Sequence, residues 1–251
     1  MHICPKGKFS YTIQPYDTLM SLVQRYHTTV YAIQAINPGV NLNWLQTGQV
    51  IYICPGYTDY PPNCYPVHKK ITKAELELSN QLRMLWEQHI VWTRMLIIST
   101  VSNLPDVELV TDRLLRNPTD FAMTLEPFYG EAIASKFGDL LTKHLTIAAE
   151  LVNAAKAGDE KAAADAEKMW YANADAIAFF LGSINPYWSQ EEWKTMLHEH
   201  LALTKTEVVS RLTGDYKTNI AIYDKIENQA LGMADVMTKG IVKQFPCKFI
   251  E

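Results

Sequence analysis

The sequence predicts a small α+β module, ordered strand, helix, helix, strand, joined to an all-α up-down helical bundle of about five long helices. Three observations carry that reading. Two short period-2 alternations bracket two helical stripes near the N-terminus; a Pro/Gly-dense break follows; and long runs of helical apolar spacing begin near Ile71.

Within the first part, Phe9, Tyr11 and Ile13 alternate as one strand, and Val50 and Tyr52 alternate with Ile51 and Ile53 as its partner. Between them Asp17-Thr18 precedes Leu19, Leu22, Val23 and Tyr26, an i, i+3, i+4, i+7 stripe for which Asp17 is placed to cap the free N–H groups. Val30, Ile33 and Ile36 form a second stripe, closed by Asn37-Pro38-Gly39. The stretch CPGYTDYPPNCYP at 54–66 repeatedly disfavours helix, which divides the chain into a module at 1–56, a Pro/Tyr-rich linker at 57–70 and a helical domain at 71–251.

In that domain the breaks at Asn103-Leu104-Pro105, Asn117-Pro118, Gly158-Asp159, Asn185-Pro186 and Gly214-Asp215 predict long helices over 72–102, 131–157, 160–183, 190–213 and 216–244, with a short helix and a turn in 106–130. A faint repeat runs through it. His144, Leu145, Val152 and Gly158-Asp159 each recur 56 residues on, at His200, Leu201, Val208 and Gly214-Asp215. Ala174-Asp175 and Pro186 likewise recur 60 residues on, at Ala234-Asp235 and Pro246. Two copies are too few for a solenoid, so a duplicated helix pair inside a compact bundle is the reading.

The charge balance narrows the partners. With 23 Lys+Arg against 27 Asp+Glu the net charge is −4, which gives no field to draw nucleic acid or an anionic membrane. No stretch reaches the roughly 18 uninterrupted apolar residues of a membrane span, and the start MHICPKGKFSY lacks the pattern of a secretory leader. Cys4, Cys54, Cys64 and Cys247 lack zinc-type spacing. A Cys4–Cys54 clamp across the strand pair depends on the strand register; free thiols, or cross-links to other molecules through Cys64 and Cys247, stay open.

Taken in order, the strand, Asp-Thr-Leu, two helices, Asn-Pro and LQTGQVI leading into the second strand resemble the LysM family over about 46 residues, Phe9 to Pro55. The resemblance implies a βααβ fold that binds N-acetylglucosamine polymers, peptidoglycan or chitin, in a shallow groove between two loops. Asp17, Thr18 and Leu19 would line one side, and Asn37, Pro38, Gly39 and Val40 the other. Backbone amides there suit the sugar's N-acetyl group, Leu19 and Val40 would cover its methyl, and no titrating catalytic group is required. The family usually has Gly before Asp-Thr, whereas this chain has Tyr16, which either restricts the loop or adds a ring against the sugar.

The helical part resembles an uncharacterised helical domain found beside LysM modules in Firmicutes, which carries no activity with it. Its ionisable residues on apolar stripes, His89, Arg94, His144, Asp175, His200, Glu207 and Asp235, are candidates to converge inside the bundle. A hydrogen-bonded network that fixes helix register is the favoured role, and a metal or small-ligand centre the alternative. The ferritin-like Glu-x-x-His pattern is missing: the residues three before His89, His144, His198 and His200 are Trp86, Leu141, Thr195 and Leu197. Trp86, Trp92, Trp170, Trp188 and Trp193 could suggest sugar platforms, but the helical spacing of Trp86 with Ile90, Thr93 and Ile97 reads as core packing.

These features point to a non-catalytic protein without a cofactor, held by its module to the glycan of a cell wall or spore surface and reached without a classical leader. The helical domain is then expected to dock a partner or self-associate. The alternative is a cell-wall-associated enzyme or a metal-binding bundle targeted by the module.

Overall fold

In the computed structural model the described residues are Cys4, 7–38, 40–42, 45–56 and 71–250. Two strands, β1 (Phe9–Thr12) and β2 (Val50–Ile53), pair antiparallel with Phe9 opposite Ile53 and Thr12 opposite Val50. Two short helices lie between them, α1 (Leu19–Arg25) and α2 (Val30–Ile36). The period-2 pattern places Ile51 and Ile53 inward and leaves Val50 and Tyr52 exposed. With Ile13, Leu22, Ile33 and Leu42 they make the module's small core.

The strand register brings Cys4 to Cys54, whose Cα atoms are 5.3 Å apart, and the two form a disulfide. A turn in which the Gly7 N–H donates to the Cys4 carbonyl folds the N-terminal segment back to reach it. Cys247 is also disulfide-bonded, which closes the free-thiol option for that residue.

Seven α-helices follow among the described residues: α3 (Lys73–Val101), α4 (Val107–Leu115), α5 (Asn117–Tyr129), α6 (Glu131–Ala157), α7 (Glu160–Ile184), α8 (Gln190–Leu212) and α9 (Tyr216–Gln244). A 3-10 turn follows α9 at Pro246–Lys248. The five long helices stand within two residues of their expected bounds. Segment 106–130 holds two helices where one and a turn were expected, because Pro118 sits in the first turn of α5, where its missing N–H costs nothing.

Each long helix packs on the next, α6 on α7, α7 on α8 and α8 on α9, while α9 returns against α3 and α5 against α6. Gly-Asp makes two of the corners. Gly158 and Gly214 adopt positive φ, which stops α6 and shapes the turn after α8, and the following Asp159 and Asp215 accept from Ala162 N at 2.9 Å and Thr218 N at 3.1 Å to cap α7 and α9. The core of the bundle contains Leu82, Phe121, Phe137, Leu181, Trp193 and Met233, all essentially inaccessible. Burial of each such side chain stabilises by roughly 1.5–3 kcal/mol. Trp86, as its spacing predicts, lies in the same core with Trp170 and Trp188, whereas Trp92 is only half-buried against the smaller cluster of Leu96, Val110 and Leu114. No described helix is long and apolar enough to cross a membrane.

Candidate functional site

The loop after β1 is built around Asp17. Its Oδ2 accepts from the Tyr11 hydroxyl at 2.6 Å and from Gln14 N at 2.8 Å, and its Oδ1 pairs with Arg25 Nη2 at 3.1 Å. Burial alone would raise this carboxyl's pKa, but those hydrogen bonds and the Arg25 charge outweigh it and hold the group below the usual range. The side chain is therefore occupied inside the module. The helix cap belongs to its neighbour: Thr18 Oγ1 accepts from Ser21 N while Ser21 Oγ accepts from Thr18 N, both at 3.0 Å, a reciprocal capping box. The sequence expectation that Asp17 caps α1 is corrected by one position.

Tyr16 has φ +69° and its side chain is fully exposed. That backbone conformation favours glycine, which is the physical reason a Gly suits this position.

Asn37 is likewise spent on structure. Its Nδ2 donates to Ile33 O at 2.7 Å and Tyr52 O at 2.8 Å, while its Oδ1 accepts from Tyr52 N at 2.7 Å, which ties the end of α2 to β2. Its carbonyl accepts from Val40 N at 3.2 Å and so sets the turn. Pro38 is exposed, and Gly39 lies outside the described residues.

Between the two loops and the bundle lies a cleft of about 390 Å³, within the roughly 300–1,000 Å³ of small-ligand sites. Of the sequence-predicted residues, Asp17, Thr18, Leu19 and Val40 line it, whereas Tyr16, Asn37 and Pro38 do not. Sequence reading missed Gln34 and Asn41 on the module side, and Phe128, Ser183, Ile184 and Phe245 on the bundle side. Gln34 was within reach, lying one position from the Ile33 stripe. The bundle residues carry no local signal, since only the tertiary fold brings them to the module.

A small two-strand, two-helix module with exposed loops at a cleft, its one lining carboxylate bonded internally, has the features of a binding domain. Residues 11–53 are a LysM domain, a known module for N-acetylglucosamine glycans and peptidoglycan, and a helical domain follows it. No curated protein and no solved structure matches the chain.

The polar candidates of the bundle lie in four separate places and do not converge on one site. Asp175 pairs with His198 at 2.7 Å and Lys194 at 3.1 Å on the outside, and Asp235 pairs with Arg83 at 2.7 Å, also half-exposed. Each aspartate follows a fully buried alanine, and one residue along a helix turns a side chain about 100° away from that face. Glu207 is buried and pairs with Arg94, which also donates to Asn219 Oδ1 at 3.0 Å. Burial raises the Glu207 pKa despite the arginine.

The three histidines do meet. His89 lies 6.3 Å from His144 and 5.7 Å from His200 between ring centroids, all three buried. Each makes the same latch. The Nδ1 of His89, His144 and His200 meets an amide oxygen of Asn117, Asn173 and Gln229 at 3.2, 2.9 and 3.1 Å. The amide nitrogens then donate to the carbonyls of Leu85, Leu140 and Met196, each four residues before its histidine. Because the amide nitrogen is committed to a carbonyl, its oxygen must face the ring, so Nδ1 carries the proton and donates. Among the described residues, no group of three His, Cys, Asp or Glu is placed to hold a metal ion.

Proposed function

We propose that the chain is a non-catalytic glycan-binding protein, its LysM domain anchoring the helical domain to the peptidoglycan of a cell wall or spore surface, with chitin-type glycan as the alternative ligand. The observation that carries this is the use of polar side chains at the LysM loops. Asp17 and Asn37 are consumed in holding the loops, which leaves the apolar Leu19 and Val40 and the uncharged Thr18, Gln34 and Asn41 on the module side of the cleft, a surface suited to a neutral N-acetylated sugar. The Cys4–Cys54 disulfide adds support, since such bonds persist in oxidising surroundings outside the reducing cytosol.

A pulldown on insoluble peptidoglycan, run separately with fragments 1–56 and 67–251, tests it. The LysM fragment is expected to sediment with the glycan and the helical fragment to stay in solution. Retention of the helical fragment alone would overturn the reading.

A further inference from the structure

The cleft at the LysM loops has two walls, and only one belongs to the LysM domain. Leu19 and Val40 face a bundle surface made by the ends of three helices: Phe128 from α5, Ser183 and Ile184 from α7, and Phe245 at the end of α9. We propose that these helix ends are the second wall of the glycan site, so that the chain grips a short N-acetylated oligosaccharide between module and bundle. The inference rests on the glycan reading above and adds a selectivity that an open LysM face lacks.

Three observations argue for it. The wall is preorganised: the Tyr129 hydroxyl donates to Gln244 Oε1 at 2.9 Å and accepts from Asn185 Nδ2 at 2.8 Å, while Gln244 Nε2 donates to Ile184 O at 2.9 Å. These bonds lock the ends of α5, α7 and α9 together beneath the cleft, and a wall already ordered costs less to bind against.

The chemistry matches a neutral amide-bearing sugar. Phe128 and Phe245, with ring centroids 5.7 Å apart, and Ile184 offer apolar surface to a sugar face or an acetyl methyl. Gln34, Asn41 and the Ser183 hydroxyl lie around the same space, and the lining carboxylate of Asp17 is already bonded to Tyr11, Gln14 and Arg25.

The dimensions point to a short segment. About 390 Å³ lies near the lower end of small-ligand sites, which suits a segment of a few sugar units held between the two walls.

Calorimetric titration of the full chain with the N-acetylglucosamine trimer tests this, with peptidoglycan pulldown in parallel. Ser183→Trp, which fills the cleft from the bundle side, is expected to weaken trimer binding at least tenfold, and Phe128→Ala several-fold. Leu19→Ala on the opposite wall should weaken it as well. Thermal melting of each variant establishes that it folds. A readout that needs no substitution accompanies them: in full chain carrying labelled isoleucine methyls, the Ile184 signal should move as trimer is added. Loss of binding in Leu19→Ala, with wild-type affinity in both bundle variants and a stationary Ile184 methyl, overturns the second wall and leaves the LysM reading standing. Failure of the wild-type chain to hold either trimer or peptidoglycan removes both.

Discussion

Gly240 shows how much one side chain, or its absence, decides in this fold. Trp188, in the turn between α7 and α8, donates its indole N–H to Val236 O at 3.2 Å, and so lies flat on α9 where Gly240 presents no side chain. A Cβ built at Gly240 would stand 1.9 Å from the indole nitrogen. Since Trp188 is itself 2% exposed and packs on Tyr129 and Trp193, it has nowhere to move. Gly240→Ala is therefore expected to cost about 3 kcal/mol or more, at the upper end of overpacking effects, and urea unfolding measures it. An unchanged midpoint would show that the indole can yield. Tyr16 is the opposite case. At φ +69° it is strained where glycine would not be, so Tyr16→Gly is expected to raise the module's stability by about 0.5–1 kcal/mol despite glycine's greater entropy when unfolded. That position was legible in the sequence, because Tyr breaks a pattern that calls for Gly. The Trp188 contact was not, since Gly240 reads as any helical glycine until the α7–α8 turn is seen lying against it.

At the scale of elements, helix bounds were legible and side-chain partners less so. Gly-Asp punctuation marked two corners, and those dipeptides act through local backbone and capping geometry that sequence carries directly. The histidine latch was half legible. His144 and His200 stand out at a spacing of 56, but the third copy, His89, lies 55 before His144, and its partner Asn117 comes 28 residues on instead of 29. That one-residue slip, at a Pro-started helix, hides the copy from any fixed-offset comparison. Asp175 and Asp235 were misread because a repeated position need not be an inward one. Glu207 was placed correctly inside, and a pairing follows that the sequence did not specify: Arg94 reaches from α3 to Glu207 on α8 and Asn219 on α9, with its guanidinium 4.8 Å from the Tyr223 ring. Removing the cation leaves a buried carboxylate, so Arg94→Met is expected to destabilise by about 3–5 kcal/mol. The double variant Arg94→Met, Glu207→Leu should recover most of that loss. Chemical unfolding of the two variants decides, and equal destabilisation would mean that Arg94 acts through packing alone.

Across the whole molecule, each latch ties a helix to the next or next but one in sequence, and the rings of His89, His144 and His200 bring the three latches together in one core. His89, His144 and His200 come from α3, α6 and α8, and their partners from α5, α7 and α9, so six of the seven bundle helices meet in this arrangement. Burial, with the neighbouring rings adding to it, depresses His144 to about 3 and His89 well below its usual value, and burial depresses His200 to about 4. A histidine with a folded pKa below its unfolded value near 6.5 contributes fully above that value. Its contribution falls as pH drops from there toward the folded pKa, because the unfolded chain takes up protons that the native core refuses. Each such group adds a slope of up to about 1.4 kcal/mol per pH unit in that window. The bundle is thus expected to be at full stability near pH 7.5, and its urea midpoint should drop steeply between pH 6 and pH 4.5. A surface-carboxylate effect would instead begin lower, near the carboxylate range. His144→Gln separates the histidines from the carboxylates: the variant starts less stable, but its stability should fall with acid about a third less steeply than the wild type's. A wild-type midpoint that stays level from pH 7 to pH 5, or a slope indifferent to His144→Gln, would show that the latched histidines take up protons without opening the core.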